Sequence, residues 1–234
     1  MTGRGQNAGN NDQLGPPGTP IRSRDGEQTH ISCSPCVNVV DDDLFVREAL
    51  GNLLQSMGYR VALYKSASDF LNAELPNVPT CLVLDVRMPG TSGLELQEYL
   101  NQLNVGLPVI LMTAYGDIPM TVKGMKAGAI DFLSKPPRDQ DLLDAVATAV
   151  RIDQGRREEA AQAAQLRKRC ASLTPRERQV AALVAAGRMN KHIATELSIS
   201  EVTVKMHRGN AMRKLGLKSV ASLARIAHIL DGQR

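Results

Sequence analysis

Charged and hydroxyl side chains stand at the ends of four short apolar runs in the first two thirds of the chain. Asp41 and Asp42 follow the first run, and Asp85 ends a later one. Thr113 and Lys135 follow two more. Carboxylates held close together raise one another's pKa unless a cation is present, and hard oxygen ligands with an open side suit Mg²⁺. The residue types therefore predict a magnesium site that faces a lysine and a hydroxyl donor.

A simpler explanation applies to any single carboxylate at the end of a strand. Such an Asp is commonly a helix cap or a turn residue. Asp43 fits that description, and we expect it to cap the following helix, as we expect of Ser66 further along. Two adjacent Asp residues with a third on a neighbouring strand are harder to explain in this way.

Strand-like and helix-like segments alternate between about 36 and 152. The apolar, β-rich runs are Val37–Val40, Tyr59–Tyr64, Cys81–Leu84, Pro108–Met112 and Ala129–Leu133. The helix-period segments between and after them span about 43–57, 66–74, 93–103, 117–127 and 138–152. This alternation predicts an α/β doubly wound, flavodoxin-like domain with a parallel sheet. In the strand order 2-1-3-4-5 the polar groups would meet in one crevice at the carboxyl ends of the strands.

Charge is distributed unevenly along the 234 residues, whose formal net charge is +4. Residues 37–150 carry 8 basic and 14 acidic groups, whereas residues 151–234 carry 17 basic and 7 acidic groups. The net charges are therefore −6 and +10. Such asymmetry favours a nucleic-acid partner for the basic part and a domain boundary near residue 150.

Several classes of protein are disfavoured by composition. No apolar run approaches the ~18 residues of a membrane span, so we expect no membrane partner. Residues 1–35 are rich in Gly, Asn, Pro and Ser and lack the apolar core of a secretory signal, so we expect a disordered tail. Four Cys are too few for a disulfide scaffold, which favours a cytoplasmic location. Cys33 and Cys36, with His30 nearby, form a weak motif for metal or redox chemistry.

The basic part divides into a connecting segment and a helical domain. Residues 153–172 are charged and rich in Ala, which is typical of a helical or flexible linker. Residues 173–234 contain helical stretches at about 175–186, 190–197, 201–214 and 219–230. Thr174, Pro175 and Glu177 form a strong helix start, with a capping Thr, Pro at the first helical position and Glu three residues after the cap.

The stretch 201–214 has two faces. Val204, Ala211 and Leu215 fall on one side and should face a core. A second stripe, short of carboxylates, contains Val202, Lys205, Met206, Gly209 and Arg213. This arrangement suits a helix in a DNA major groove, although a solvated basic face on a small bundle explains the charge equally well. Gly209 is unexpected there, because a mid-helix Gly costs about 1 kcal/mol. The chain has no aromatic residue after Phe132, which favours duplex DNA over single strands.

Four motifs in the first domain resemble those of the receiver domain of two-component response regulators. They are VVDDD, LVLDVRMPG, MTAYGD and DFLSKP, in this order and spacing. The resemblance implies that Asp85 is the phosphoacceptor. It implies that Asp41, Asp42 and Asp85 hold Mg²⁺ together with the backbone carbonyl of Arg87.

The same resemblance assigns roles to three further residues. Thr113 and Lys135 would contact the incoming phosphoryl oxygens, and Thr113 and Phe132 would form a conformational switch. It also implies a cis peptide at Lys135–Pro136. Residues 37–150 contain no His, so the phosphoryl donor must come from elsewhere, and the resemblance implies that it is a partner sensor histidine kinase.

The segment LTPRERQVAALVAAGRMNKHIATELSISEVTVKMHRGNAMRKLGLKS resembles the LuxR-type helix-turn-helix domain of the NarL/FixJ family. The resemblance implies that 201–214 is the recognition helix and that 219–230 is a scaffold or dimerisation helix. Lys205, Met206 and Gly209 align with positions that face bases. The residues expected at the DNA backbone are Thr203, His207, Arg208, Asn210 and Lys214.

Together the two resemblances imply a phosphorylation-activated transcriptional regulator that is not an enzyme. It would bind double-stranded promoter DNA as a homodimer and contact RNA polymerase. One alternative is an aspartyl-phosphate hydrolase of the haloacid dehalogenase type, but Arg87 stands where that class has its second Asp. A second alternative is a regulator that acts mainly on protein partners.

Overall fold

The computed structural model of the chain describes residues 34–114 and 118–227. Five parallel strands form one sheet in the order β2-β1-β3-β4-β5, which confirms the predicted fold class. The strands are β1 (Cys36–Val40), β2 (Arg60–Tyr64), β3 (Thr80–Asp85), β4 (Val109–Thr113) and β5 (Asp131–Ser134). The helices around this sheet are α1 (Leu44–Ser56), α2 (Ala67–Leu71), α3 (Gly93–Gln102), α4 (Ile118–Lys126) and α5 (Asp139–Ala171). Most of the predicted disordered tail lies outside the described residues.

The central strands are buried on both faces. Along β3, Cys81 and Val83 join a core cluster with residues of α1 and α5. Leu82 and Leu84 point the other way and join a second cluster with residues of α3. Continuous apolar strands such as β3 and β4 are typical of parallel sheets covered by helices on both sides. The two layers fix the sheet, so the residues at the strand ends are held in place.

The predicted helix boundaries near α1 are confirmed. Asp43 caps α1 by accepting a hydrogen bond from the Phe45 amide at 2.8 Å, and Ser66 caps α2. Gly58 and Gly128 follow α1 and α4 with φ of 85° and 87°, a conformation in which residues with a Cβ are strained. The helix expected over 66–74 is shorter, since α2 ends at Leu71.

The helix expected over 138–152 is much longer than predicted. It continues to Ala171, so the predicted linker 153–172 is almost entirely helical. Gly155 is the only helix-weakening residue in that extension, and the rest is dominated by Ala, Arg, Gln, Glu and Lys, which favour helix. The predicted helix end at 152 was wrong, and of the two alternatives for the linker, helical or flexible, the helical one applies.

A buried carboxylate fastens the middle of α5 to the sheet. The side chain of Asp153 is fully buried and accepts a hydrogen bond from the Thr80 amide, at the start of β3, at 2.9 Å. Arg156 and Arg157 form ion pairs with the same carboxylate, each at 2.5 Å. Burial by itself would raise the pKa of Asp153, but the hydrogen bonds from Arg157, Thr80 and Arg156 outweigh it and hold the pKa below its usual value.

Substitution Asp153→Asn should destabilise the chain by about 2 kcal/mol, because charge-assisted hydrogen bonds to a buried group are lost. Since the folded-state pKa is below the unfolded one, this stabilisation is present above the unfolded pKa. It is lost as the pH falls through the folded pKa. Urea unfolding at pH 7 and at successively lower pH should show the difference from wild type shrinking on acidification. Asp144→Asn, at an exposed site on the same helix, is the control. It should change neither the free energy of unfolding nor its dependence on pH. A pH-independent difference would contradict this account of Asp153.

The remaining helices build a separate core. They are α6 (Pro175–Ala185), α7 (Asn190–Leu197), α8 (Glu201–Leu215) and α9 (Val220–Arg225). Their apolar residues cluster with Cys170 from the end of α5. Thr174 and Glu177 form the predicted capping box with Pro175 in the first turn. The last residues of the predicted helix 219–230 lie outside the described ranges. None of the helices in the described ranges is long and apolar enough to cross a membrane.

Candidate functional site

Four of the predicted residues lie at one edge of the sheet. Asp41 directly follows β1, Asp85 is the last residue of β3, Thr113 is the last residue of β4, and Lys135 directly follows β5. Strand pairing aligns the ends: Asp85 lies beside Met112, and Thr113 lies beside Ser134. The convergence expected from the parallel order therefore occurs.

Lys135 joins the two buried carboxylates. Its Nζ lies 2.5 Å from Asp41 Oδ2 and 2.7 Å from Asp85 Oδ2. Burial by itself lowers the pKa of Lys135, but the hydrogen bonds to Asp41 and Asp85 outweigh it and raise the pKa above its usual value. The lysine is therefore firmly protonated and supplies positive charge where the strands end.

The cluster still carries more negative than positive charge. Oxygen atoms of Asp41, Asp42 and Asp85 all lie within 4.8 Å of one another. Burial raises the pKa of Asp41, and the interactions with Lys135 and the Asp43 amide only partly offset this effect. Asp42 is exposed, so the cluster is open to solvent on one side. Three carboxylates and one lysine, open on one side, fit a hard divalent cation that keeps some of its waters.

Backbone contacts orient the central carboxylate. The Arg87 amide donates to Asp85 Oδ1 at 3.1 Å, which leaves Oδ2 for Lys135. The Asp43 amide likewise donates to Asp41 Oδ1 at 3.0 Å. The Arg87 carbonyl as a metal ligand stays a prediction. The peptide bond Lys135–Pro136 is cis, as the motif implied.

A cavity of about 740 Å³ adjoins the cluster. Asp42, Asp85 and Lys135 form its polar wall. Its apolar wall comes from Val46, Leu50 and Leu53 of α1 and from Pro136 and Pro137. The cavity provides a route from the surface to the Asp85 carboxylate.

Thr113 and Phe132 lie on the neighbouring strands β4 and β5. Thr113 is fully buried, whereas Phe132 is half-buried and packs against a core cluster. A Cβ added at Gly124 of α4 would meet the side chains of Leu111 and Phe132, at 2.5 and 3.5 Å. The two side chains are thus placed where a rearrangement of α4 and β5 would involve them, and their switch role stays a prediction.

The second predicted surface lies on α8. Val204, Ala211 and Leu215 are buried, whereas Val202 and Met206 are 75% and 53% exposed. Lys205 and Gly209 are also exposed on this face. Ser200 caps α8 through the Thr203 amide at 3.1 Å. The predicted division of α8 into a core side and a free side is confirmed.

Comparison with known proteins decides the family. Residues 37–147 match the response regulator receiver domain, and residues 171–227 match the bacterial regulatory proteins of the luxR family. Nodulation protein W of Bradyrhizobium diazoefficiens is 48% identical over 205 residues, which cover 88% of this chain and 90% of that protein. The transcriptional regulatory protein FixJ of Azorhizobium caulinodans is 45% identical over 82% of this chain and 90% of its own length. The chain is a response regulator of the NarL/FixJ family.

Solved structures agree with this assignment. The low-resolution structure of the response regulator StyR superposes with a TM-score of 0.75 at 50% sequence identity. The match covers 85% of this chain and 99% of that one. This response regulator therefore combines a receiver domain with a LuxR-type DNA-binding domain and regulates transcription. Both domains are those of a DNA-binding regulator and not of an enzyme family.

Lys214, which was predicted to contact DNA, has partners within this response regulator. Lys214 Nζ lies 2.6 Å from Glu177 Oε2 and 3.3 Å from the Ser172 carbonyl oxygen. Hydrogen bonds from Lys214 and from the Thr174 amide hold the pKa of Glu177 below its usual value. The Lys214 charge helps to join α8 to the start of α6, and its contact with DNA stays a prediction.

Sequence reasoning missed the close packing behind the phosphoacceptor candidate. The first residue of α3, Gly93, donates its amide to the Val86 carbonyl at 3.0 Å. A Cβ at Gly93 would collide with the backbone carbonyl oxygen of Asp85. Gly93 lies eight residues after Asp85 and outside the LVLDVRMPG motif, and sequence spacing alone gave no indication of a contact.

The Cys33–Cys36 motif gains no support from the described residues. Cys36 is buried in β1, and burial raises the pKa of its thiol. Cys33 and His30 lie outside the described residues. A buried thiol with a raised pKa is a poor nucleophile and a poor metal ligand.

Proposed function

We propose that this response regulator accepts a phosphoryl group on Asp85 from a phosphohistidine of a sensor histidine kinase. The phosphorylated chain then forms a homodimer on promoter DNA and contacts RNA polymerase. The observation that carries the proposal is the contact of Lys135 with both Asp41 and Asp85 in a carboxylate cluster beside an open cavity. Because its DNA partner is the genome, we also propose a cytoplasmic location.

The proposed reaction requires little covalent work from the protein. An oxygen of Asp85 attacks phosphorus while the bond from phosphorus to the donor nitrogen breaks. Lys135 stabilises negative charge on the phosphoryl oxygens, and the Arg87 amide keeps the carboxylate oriented during attack. Mg²⁺, held by Asp41, Asp42, Asp85 and the Arg87 carbonyl, would neutralise charge on the transferring group.

The proposed response to phosphorylation passes through β4 and β5. The new group adds roughly two negative charges beside Lys135 and Thr113. We propose that the Thr113 hydroxyl turns toward it and that Phe132 moves into the space released. Phe132 lies close to α4, where a Cβ added at Gly124 would meet its side chain at 3.5 Å, so the surface formed by α4 and β5 changes with it.

The DNA-binding part of the proposal uses the free face of α8. We assign residues 36–152 to the receiver domain, 153–172 to a helical connection and 173–234 to the DNA-binding domain. Lys205 and Met206 face the major groove. Residues placed against the sugar-phosphate backbone are Thr203, His207, Arg208, Asn210 and Lys214.

Salt dependence tests the DNA-binding part directly. Affinity of the full chain for a labelled duplex should fall steeply with salt, because bound lysines and arginines release counterions from phosphates. Lys205→Ala should weaken binding about tenfold, and fluorescence anisotropy over a range of salt concentrations measures both effects. Lys126→Ala, in α4 of the other domain, is the control. It should change neither the affinity for the duplex nor its salt dependence. A flat salt dependence of the wild type would contradict a phosphate-dominated interface.

A further inference from the structure

Gly209 lies in the middle of α8, where glycine weakens a helix. Two common reasons for a helical Gly do not apply to it. Its φ is outside the left-handed region, so any residue could adopt its backbone conformation. A Cβ at this position would meet no described atom within 4 Å, so no neighbouring element among the described residues requires the space. Packing within the described part of the domain therefore does not explain the Gly.

A small pocket of about 230 Å³ opens beside Gly209. Three cationic side chains, from Lys205, Arg208 and Lys218, line it together with Ser219, Asn190 and Met212. No carboxylate lines this pocket among the described residues. The Arg208 guanidinium donates a hydrogen bond to the Asn190 side-chain oxygen at 3.4 Å, which orients the Arg208 side chain. The pocket is several times larger than the ~30 Å³ that one water occupies, so it has room for a hydrated oxyanion.

We propose that this pocket binds one phosphate of the DNA backbone and that Gly209, which has no side chain, leaves the pocket accessible to it. The inference rests on the proposed DNA-binding function and adds Lys218 and Ser219 to the interface. A phosphate there would be contacted by the ammonium group of Lys218, the guanidinium of Arg208 and the hydroxyl of Ser219. A side chain at position 209 would project into this pocket and keep the sugar-phosphate backbone away from α8.

The substitution Gly209→Ala separates folding from binding. Alanine favours helix over glycine, so the melting temperature of the full chain should stay the same or rise. Affinity for a labelled random-sequence duplex should nevertheless fall about tenfold. The slope of log affinity against log salt should shrink by about 0.9, the value expected for one lost phosphate contact. Gly155→Ala is the matched control, because Gly155 is also helical and a Cβ there would also meet nothing within 4 Å.

Lys218→Gln supplies a second, independent variant. It should reduce the slope of log affinity against log salt by about the same amount. The double variant Gly209→Ala, Lys218→Gln should lose little more affinity than either single variant, because both substitutions act on one phosphate contact. Unchanged affinity and slope in Gly209→Ala would overturn the inference. A changed sequence preference with an unchanged slope would make position 209 a base-facing site and also overturn it. If the wild-type chain binds no duplex at all, the proposed function itself fails. That outcome is distinct from the two results for Gly209→Ala that would overturn the phosphate site.

Discussion

Asp85→Asn should abolish labelling of the chain by a small phosphodonor such as phosphoramidate in the presence of Mg²⁺. An amide oxygen is a far weaker nucleophile than a carboxylate, and the substitution also removes one of the three charges of the acidic cluster. Phos-tag electrophoresis or intact-mass measurement follows the labelled fraction. We expect loss to background with little change in fold, because Asn fits the space of Asp85 and can still accept from the Arg87 amide.

Asp144→Asn is the matched control for this experiment. Asp144 is an exposed residue of α5 whose carboxylate accepts a hydrogen bond from the Gln140 side-chain amide, and it lies outside the acidic cluster. It should be labelled like the wild type. Undiminished labelling of Asp85→Asn would mean that another group accepts the phosphate, and the assignment of the phosphoacceptor would be withdrawn.

Gly93→Ala should have the largest effect of any single methyl group added near the site. The new Cβ would collide with the carbonyl oxygen of Asp85, and backbone atoms at the end of a buried strand cannot move cheaply. We expect a loss of stability of about 3 kcal/mol and a displaced phosphoacceptor. Chemical unfolding measures the first effect, and the rate of labelling by phosphoramidate measures the second.

Gly155→Ala shows what the same substitution does where space is free. It should leave labelling unchanged and should not destabilise the chain. If Gly93→Ala is labelled at the wild-type rate and unfolds at the wild-type denaturant concentration, the close packing of α3 against the end of β3 does not govern the site.

Much of the fold could be predicted because local patterns and tertiary structure agree. The apolar runs that became β1, β3 and β4 are buried on both faces, and capping residues such as Asp43 and Thr174 act at the expected helix ends. The convergence of Asp41, Asp85 and Lys135 followed from the parallel order of the strands. Contacts between segments distant in sequence could not be predicted in this way. Periodicity does not show that Asp153 reaches the Thr80 amide, nor that Lys214 pairs with Glu177.

Gly93 and Gly209 show most clearly that sequence patterns do not predict contacts between distant segments. Gly93 was placed only as the start of a helix, and its contact with the Asp85 carbonyl depends on how α3 meets the sheet. Gly209 was recognised as costly in a helix, but only the structure shows that no described neighbour requires a Gly there and that a cationic pocket lies beside it. Sequence spacing identifies residue types on a face, whereas packing decides which atoms touch.

Phosphorylation of Asp85 should strengthen DNA binding by the same chain. It is tested most directly by the affinity of the full-length wild type and of Asp85→Asn for one genomic fragment selected by the wild type, each with and without phosphoramidate and Mg²⁺. We predict that the donor tightens binding by the wild type about tenfold, a usual size for coupling between two sites, and leaves Asp85→Asn unchanged. Equal tightening of both proteins, or no tightening of fully phosphorylated wild type, would contradict the account.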